Sequence, residues 1–152
     1  MPTVQYRIVN VFADPHSAGY PFNGNPLAVV ENSQGLSTEQ MQAITRQLNL
    51  SETSFIGPLD GSELSIRIFS PSYELPFAGH PILGTAHIAR ALLGLGDQFT
   101  LKPPAGPVGV SATQDHWTLQ TAQPQLSPVE ARRAQLARLL GLEAGAQRDE
   151  GR

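Results

Sequence analysis

Residues 82–93 constrain this chain more than any other stretch, because "ILGTAHIARALL" is apolar on nearly every side of a helix. A helix with one apolar stripe lies on a surface, whereas one apolar around its circumference has to be enclosed. Ile82, Leu83, Ala86, Ile88, Ala89, Leu92 and Leu93 leave little circumference for water. In a chain of 152 residues the available enclosure is a curved sheet wrapped about the helix. The helix opens on "ELPFAGHP", which sets a polar residue, His80, at its mouth.

The flanking segments supply strands for such a sheet. "VQYRIVNVF" alternates, with Tyr6, Ile8 and Val11 or Phe12 expected to face inward. "ADPHSAGYPFNGNP" is turn chemistry, and "LAVVE" is a second short strand. "LSTEQMQAITRQLNL" is an amphipathic helix: Ser37 and Gln40 form a capping box, and Met41, Ile44 and Leu48 share a face. "TSFIGP" reads as a strand ending at Pro58. In "ELSIRIFS", Leu64, Ile66 and Ile68 alternate with Ser65, Arg67 and Phe69.

The central helix is expected to start near Pro81, a residue suited to a first helical turn, and to stop at Gly94 or Gly96. "QFTLK", "VGVSA" and "HWTLQT" follow as three short strands. "SPVEARRAQLARLLGL" opens on a second capping box, Ser127, Pro128 and Glu130, and places Leu136, Leu139 and Leu140 on one side. The tail "EAGAQRDEGR" is expected to fray.

Composition narrows the function. Hydrophobic residues make up 40% and charged ones 15%, which is globular rather than disordered. A net charge of -3 with Lys102 as the single lysine argues against nucleic acid or an anionic membrane as partner. The absence of cysteine excludes disulfides, thiolate metal sites and thiol nucleophiles. "MPTVQYRIVNVF" has neither the apolar core nor the cleavage pattern of a signal peptide, so the expected location is cytoplasmic.

Few residues carry chemistry. "GHPILGTA" spaces Gly79 and Gly84 like a phosphate loop, but Thr85 stands where lysine is needed and Ala86 where a magnesium-binding hydroxyl belongs. His80 and His87 lie two helical turns apart with no carboxylate at ligand spacing, so no metal site is expected. Glu52, between a helix and a buried strand, is either a solvated loop residue or a carboxylate at a pocket edge, suited to proton transfer. His80 is either a cap or turn residue or a functional one.

Three segments weigh on that choice. "FNGNPLAVV" (22–30), "LSETSF" (50–55) and "ELPFAGHPILGTA" (74–86) occur in an order and at spacings that resemble the phenazine-biosynthesis PhzF family. The resemblance covers residues 1 to about 121. It implies an α+β, diaminopimelate epimerase-like fold, in which each of two domains is a barrel-like mixed or antiparallel sheet wrapped around a central hydrophobic helix. It further implies a cofactor-free isomerase with its active site between the domains.

Carried over by position, Glu52 is the acid/base of the family's "SET" motif and His80 the substrate-contacting histidine of "GHP". Gly79 lies beside it at the helix start, and Asn25 of "GNP" matches a position near the cleft. The implied substrate is a small cyclic or conjugated carboxylic acid. Epimerases of this fold resemble one another in using two thiols. Ala78 stands where one of those cysteines would lie, which excludes that chemistry and leaves a single-carboxylate isomerase. Ser54 and Ile82 stand where family members often carry threonine.

A family chain is roughly double this one. Residues 1–121 therefore read as the family's N-terminal domain and 122–152 as a C-terminal helix and tail, with the second domain absent. The expected partner is a second copy, as a homodimer, or a separate second half. The alternative function is a non-catalytic, truncated member acting as a binding or interaction protein.

Overall fold

The computed structural model describes residues 3–121, 123, 128 and 133–142. The chain divides into two compact units, Met1–Thr121 and Ala122–Arg152. In the first unit β1 (Tyr6–Val11) and β2 (Asn25–Val30) precede helix α1 (Thr38–Leu48). Then come β3 (Thr53–Asp60), β4 (Glu63–Phe69), the short β5 (Glu74–Leu75) and helix α2 (Gly79–Leu93). Strands β6 (Gln98–Lys102), β7 (Val108–Thr113) and β8 (His116–Leu119) complete it. The class is α+β, as expected.

All eight strands join one sheet in the order β1-β2-β3-β4-β6-β7-β8, with β5 paired to the end of β4. Neighbours are antiparallel except at two joints: β2 runs parallel to β3, and β4 to β6. Parallel neighbours need a crossover. Helix α1 makes the first and α2 the second. Helix α2 touches β1, β2 and β3 as well as β8, so strands from both edges of the sheet reach it.

The inner face supplies the main core. Leu27 and Val29, Ile56, then Leu64, Ile66 and Ile68 pack with Ile82, Ala86 and Ala89 of α2. Burying one such side chain contributes about 1.5–3 kcal/mol. Gly84 brings the helix close: a Cβ there would stand 2.7 Å from Leu27 Cδ2 and 2.8 Å from Val11 Cγ2. The outer face carries a smaller cluster under α1, namely Val30, Met41, Phe55 and Phe69. The capping box of Ser37 and Gln40 fixes where α1 begins.

Several expectations change. In β1 the inward residues are Val9 and Val11, whereas Tyr6 and Ile8 are 48% and 56% exposed and Phe12 is 70% exposed. Both faces of β1 are apolar, so alternation alone could not choose. The choice is made by pairing: Val9 sits opposite Leu27, and the helix reaches that face. Strand β3 continues past Pro58 to Asp60, because its register with β4 slips between Ile56 and Leu59. An irregularity of this kind accommodates a residue with no N–H.

Helix α2 begins two residues before Pro81, with Ala78 as N-cap, and ends at Gly94 in the left-handed conformation (φ 64). Its enclosure is incomplete. Leu83 and His87 are half-buried, and Leu93 is 40% exposed.

In the second unit α3 spans Arg133–Leu139. Leu136 is half-buried there, and Leu139 and Leu140, one turn further on the same side, are 82% and 72% exposed. Ser127, Glu130 and the tail 143–152 lie outside the described residues.

Candidate active site

Glu52 is set in place by the end of α1. Asn49 closes that helix in the left-handed conformation (φ 53) and donates its N–H to the Thr45 carbonyl at 3.0 Å. Asparagine tolerates this geometry. The chain then turns into β3, and Glu52 is the residue just before it. Strand parity puts Glu52 on the side of Ser54 and Ile56, the side facing α2.

His80 is the second residue of α2, and Gly79 the first. No side chain caps this end, because Ala78 has no acceptor to offer the N–H groups of Gly79 and His80. The space beside Gly79 is open: a Cβ there would meet nothing within 4 Å.

The two sequence-predicted groups meet. His80 Nε2 lies 3.5 Å from Glu52 Oε2, with side chains 10% and 21% exposed. Both atoms are themselves buried, and neither has a hydrogen-bond partner. The separation exceeds the 2.7–3.2 Å of a well-formed bond, so the pair is close without being paired. Asn25, exposed at the start of β2, reaches the pair indirectly: its Oδ1 accepts from Ser51 Oγ at 3.2 Å, one residue before Glu52. Sequence reasoning missed Ser51 in this link. It also missed Ser54 and Thr85 behind the pair, where a hydroxyl inside an otherwise apolar run was the available signal.

Burial holds the His80 pKa below its ordinary 6.5, and the nearby Glu52 carboxylate opposes the shift without overcoming it. At His80 the unfolded chain therefore binds more protons than the folded one between the lowered midpoint and about pH 6.5. Stability falls as pH drops from 6.5 toward the lowered folded midpoint. In an NMR titration His80 should titrate below 6.5, and Glu52→Gln should lower its midpoint further by removing the opposing charge. A rise in that variant would refute the assignment of cause.

Two hollows lie elsewhere. One, about 620 Å³, lies against the face of β6–β8 that presents Thr100, Ser111 and Thr118. The other, about 640 Å³, runs between the start of β1 and α1. Neither includes Glu52 or His80. Among the described residues no group of three or more His, Asp or Glu side chains is placed to hold a metal ion, and no helix is long and apolar enough to cross a membrane.

This geometry can be set beside known proteins. An uncharacterized isomerase from Pasteurella multocida is 47% identical over 105 residues, covering 68% of this chain and 35% of that protein. A trans-2,3-dihydro-3-hydroxyanthranilate isomerase from Pseudomonas fluorescens is 49% identical over 82 residues, 53% of this chain and 28% of the other. The crystal structure of a PhzF-family phenazine biosynthesis protein from Bacillus anthracis superposes with a TM-score of 0.71 at 26% identity. That match covers 90% of this chain and 48% of the solved one. The chain thus spans about a third of the length of the curated relatives and about half that of the solved structure. The phenazine biosynthesis-like family, PhzC-PhzF, matches across residues 9–151, through both crossovers and the Glu52–His80 pair they bring together, and the chain belongs to that family.

Proposed function

We propose that this chain carries the acid/base side of a cofactor-independent isomerase acting on a small cyclic or conjugated carboxylic acid. Glu52 is the base. Its carboxylate takes a proton from an activated carbon, the electron pair delocalises over the conjugated acid, and the carboxyl returns the proton to another carbon on the same face. One proton moves and one double bond shifts, so the step needs neither oxidant nor co-reactant. His80, with the uncapped N–H groups of Gly79 and His80 at the start of α2, holds the substrate's polar groups and stabilises the charge that develops. Asn25 supports the edge of the site through Ser51.

The observation that carries this reading is the buried, unpartnered Glu52 Oε2 facing the equally unpartnered His80 Nε2. Buried polar atoms are nearly always satisfied, so two complementary ones left open at a helix start favour a ligand. The named activity of the Pseudomonas fluorescens relative suggests a dihydro-hydroxyanthranilate as probe substrate. The second reading is a non-catalytic member that binds a ligand or partner. It is favoured by the position of the pair outside both hollows described above.

Incubation in heavy water separates the two readings. Deuterium appearing in trans-2,3-dihydro-3-hydroxyanthranilate, followed by mass spectrometry, supports the isomerase. Binding of that acid to the His80 region, seen by NMR without any exchange, supports the second reading and refutes the first.

A further inference from the structure

Two buried hydroxyls behind the Glu52–His80 pair take no part in the proton transfer. Ser54 and Thr85 are both fully enclosed, and their oxygens stand 2.6 Å apart. Thr85 Oγ1 also lies 2.6 Å from the Pro81 carbonyl, which can only accept. Thr85 has a single hydroxyl proton and gives it to that carbonyl, so Ser54 must be the donor to Thr85. The outcome is a directed chain from β3 through Ser54 and Thr85 to Pro81. It starts two positions after Glu52 and ends on the residue after His80.

The chain joins the two elements that carry the pair, and joins them directionally. Apolar packing presses β3 and α2 together without fixing their relative slide. A short hydroxyl–hydroxyl bond has a preferred distance and angle. Thr85 also bonds back one helical turn, a contact that bends helices, and so sets the tilt of the turn on which His80 sits. Meanwhile Glu52 Oε2 and His80 Nε2 stop 3.5 Å apart with no partner. A buried polar group left open costs about 1–3 kcal/mol, so the two would gain by closing the gap. Something in the fold keeps it.

We propose that Ser54 and Thr85 are positioning residues, a strut that holds Glu52 and His80 just beyond hydrogen-bond reach and leaves both atoms free for an incoming acid. The use of those free atoms rests on the isomerase reading above; the strut itself does not.

The test is the NMR titration midpoint of His80 in the full 152-residue chain, which requires neither substrate nor turnover. A failure here therefore leaves the isomerase reading standing, and a failure of deuterium exchange leaves the strut standing. Ser54→Ala and Thr85→Val each remove a hydroxyl; Ser54→Thr and Thr85→Ser keep it. Without the strut Glu52 closes on His80 and favours its protonated form, so the midpoint should shift upward in Ser54→Ala and Thr85→Val. It should stay at the wild-type value in Ser54→Thr and Thr85→Ser.

The upward shift should vanish when Glu52→Gln is added. Lower thermal stability in Ser54→Ala with no change in the midpoint would mean a purely structural role and would overturn the proposal. So would a shift that persists in the Glu52→Gln background. If Thr85→Val does not fold, Ser54→Ala decides, since it leaves the Thr85–Pro81 bond in place.

Discussion

Glu52→Gln is expected to slow deuterium exchange into substrate by about 10²–10⁴-fold, the range for a lost general acid/base. In barrier height that is about 2.7–5.5 kcal/mol. Glutamine keeps the shape of the side chain and still offers an oxygen toward His80. It cannot take up and return a proton at working pH. The loss should therefore fall on kcat with KM little changed, the signature of an interaction made only in the transition state. Exchange that survives the substitution, or a loss confined to KM, would remove Glu52 from the role of base. The His80 titration in the same variant reports whether the site has kept its shape.

Phe69→Ala should lower the unfolding free energy by about 3–5 kcal/mol, measured by urea denaturation. Phe69 is fully buried on the outer face of the sheet. Its ring meets Phe55 edge-on, with centroids 5.4 Å apart at 83°, and the Arg67 guanidinium lies 5.1 Å above it. Alanine would open a cavity under α1 and remove both ring contacts. Arg67 would keep its paired bonds to Glu74 at 2.6 and 2.7 Å but lose the surface it stacks on. Two hydrogen bonds would still tie α1 to the neighbouring loop, Gln42 to the Ser70 carbonyl and Arg46 to that of Pro71, which limits how far the helix can collapse into the void. A cavity that cannot close is the costly kind. Against a typical total of 5–15 kcal/mol this substitution alone approaches unfolding. A loss under about 1 kcal/mol, the level of an ordinary point mutation, would show that the cluster under α1 contributes little.

The central helix was legible because its apolar circumference admits one placement, inside a sheet. Strand β4 was legible for a related reason: Leu64, Ile66 and Ile68 alternate with one clear choice of face. Strand β1 was not, since Tyr6 and Ile8 on one side rival Val9 and Val11 on the other. What separates them is which face α2 reaches, a tertiary fact. Pro58 looked like a strand end because a missing N–H usually is one, and only the slipped register beside it lets β3 continue.

The site divides in the same way. Glu52 and His80 lie far apart in sequence, and no periodicity links them; the family motifs single them out, and the fold brings them within 3.5 Å. Ser54 and Thr85 stayed hidden because a hydroxyl inside an apolar run marks a buried polar group without naming its partner, which here lies 31 residues away.

The two parallel joints of the sheet also bear on the order of folding. Antiparallel pairs such as β3–β4, turned at Gly61, and β7–β8, turned at Gln114 and Asp115, close between sequence neighbours. Parallel pairs must first close a long connection, an entropic cost met before any ladder bond repays it. Glu52 lies where the first connection lands and His80 where the second departs. In refolding, the hairpins should therefore form ahead of the pair. His80 should regain its lowered midpoint only with the slowest phase, whereas far-ultraviolet ellipticity returns earlier; simultaneous recovery would contradict this order. The Glu52–His80 pair would then be the last part of the unit to assemble, and any molecule that presents it has already passed every earlier step of folding.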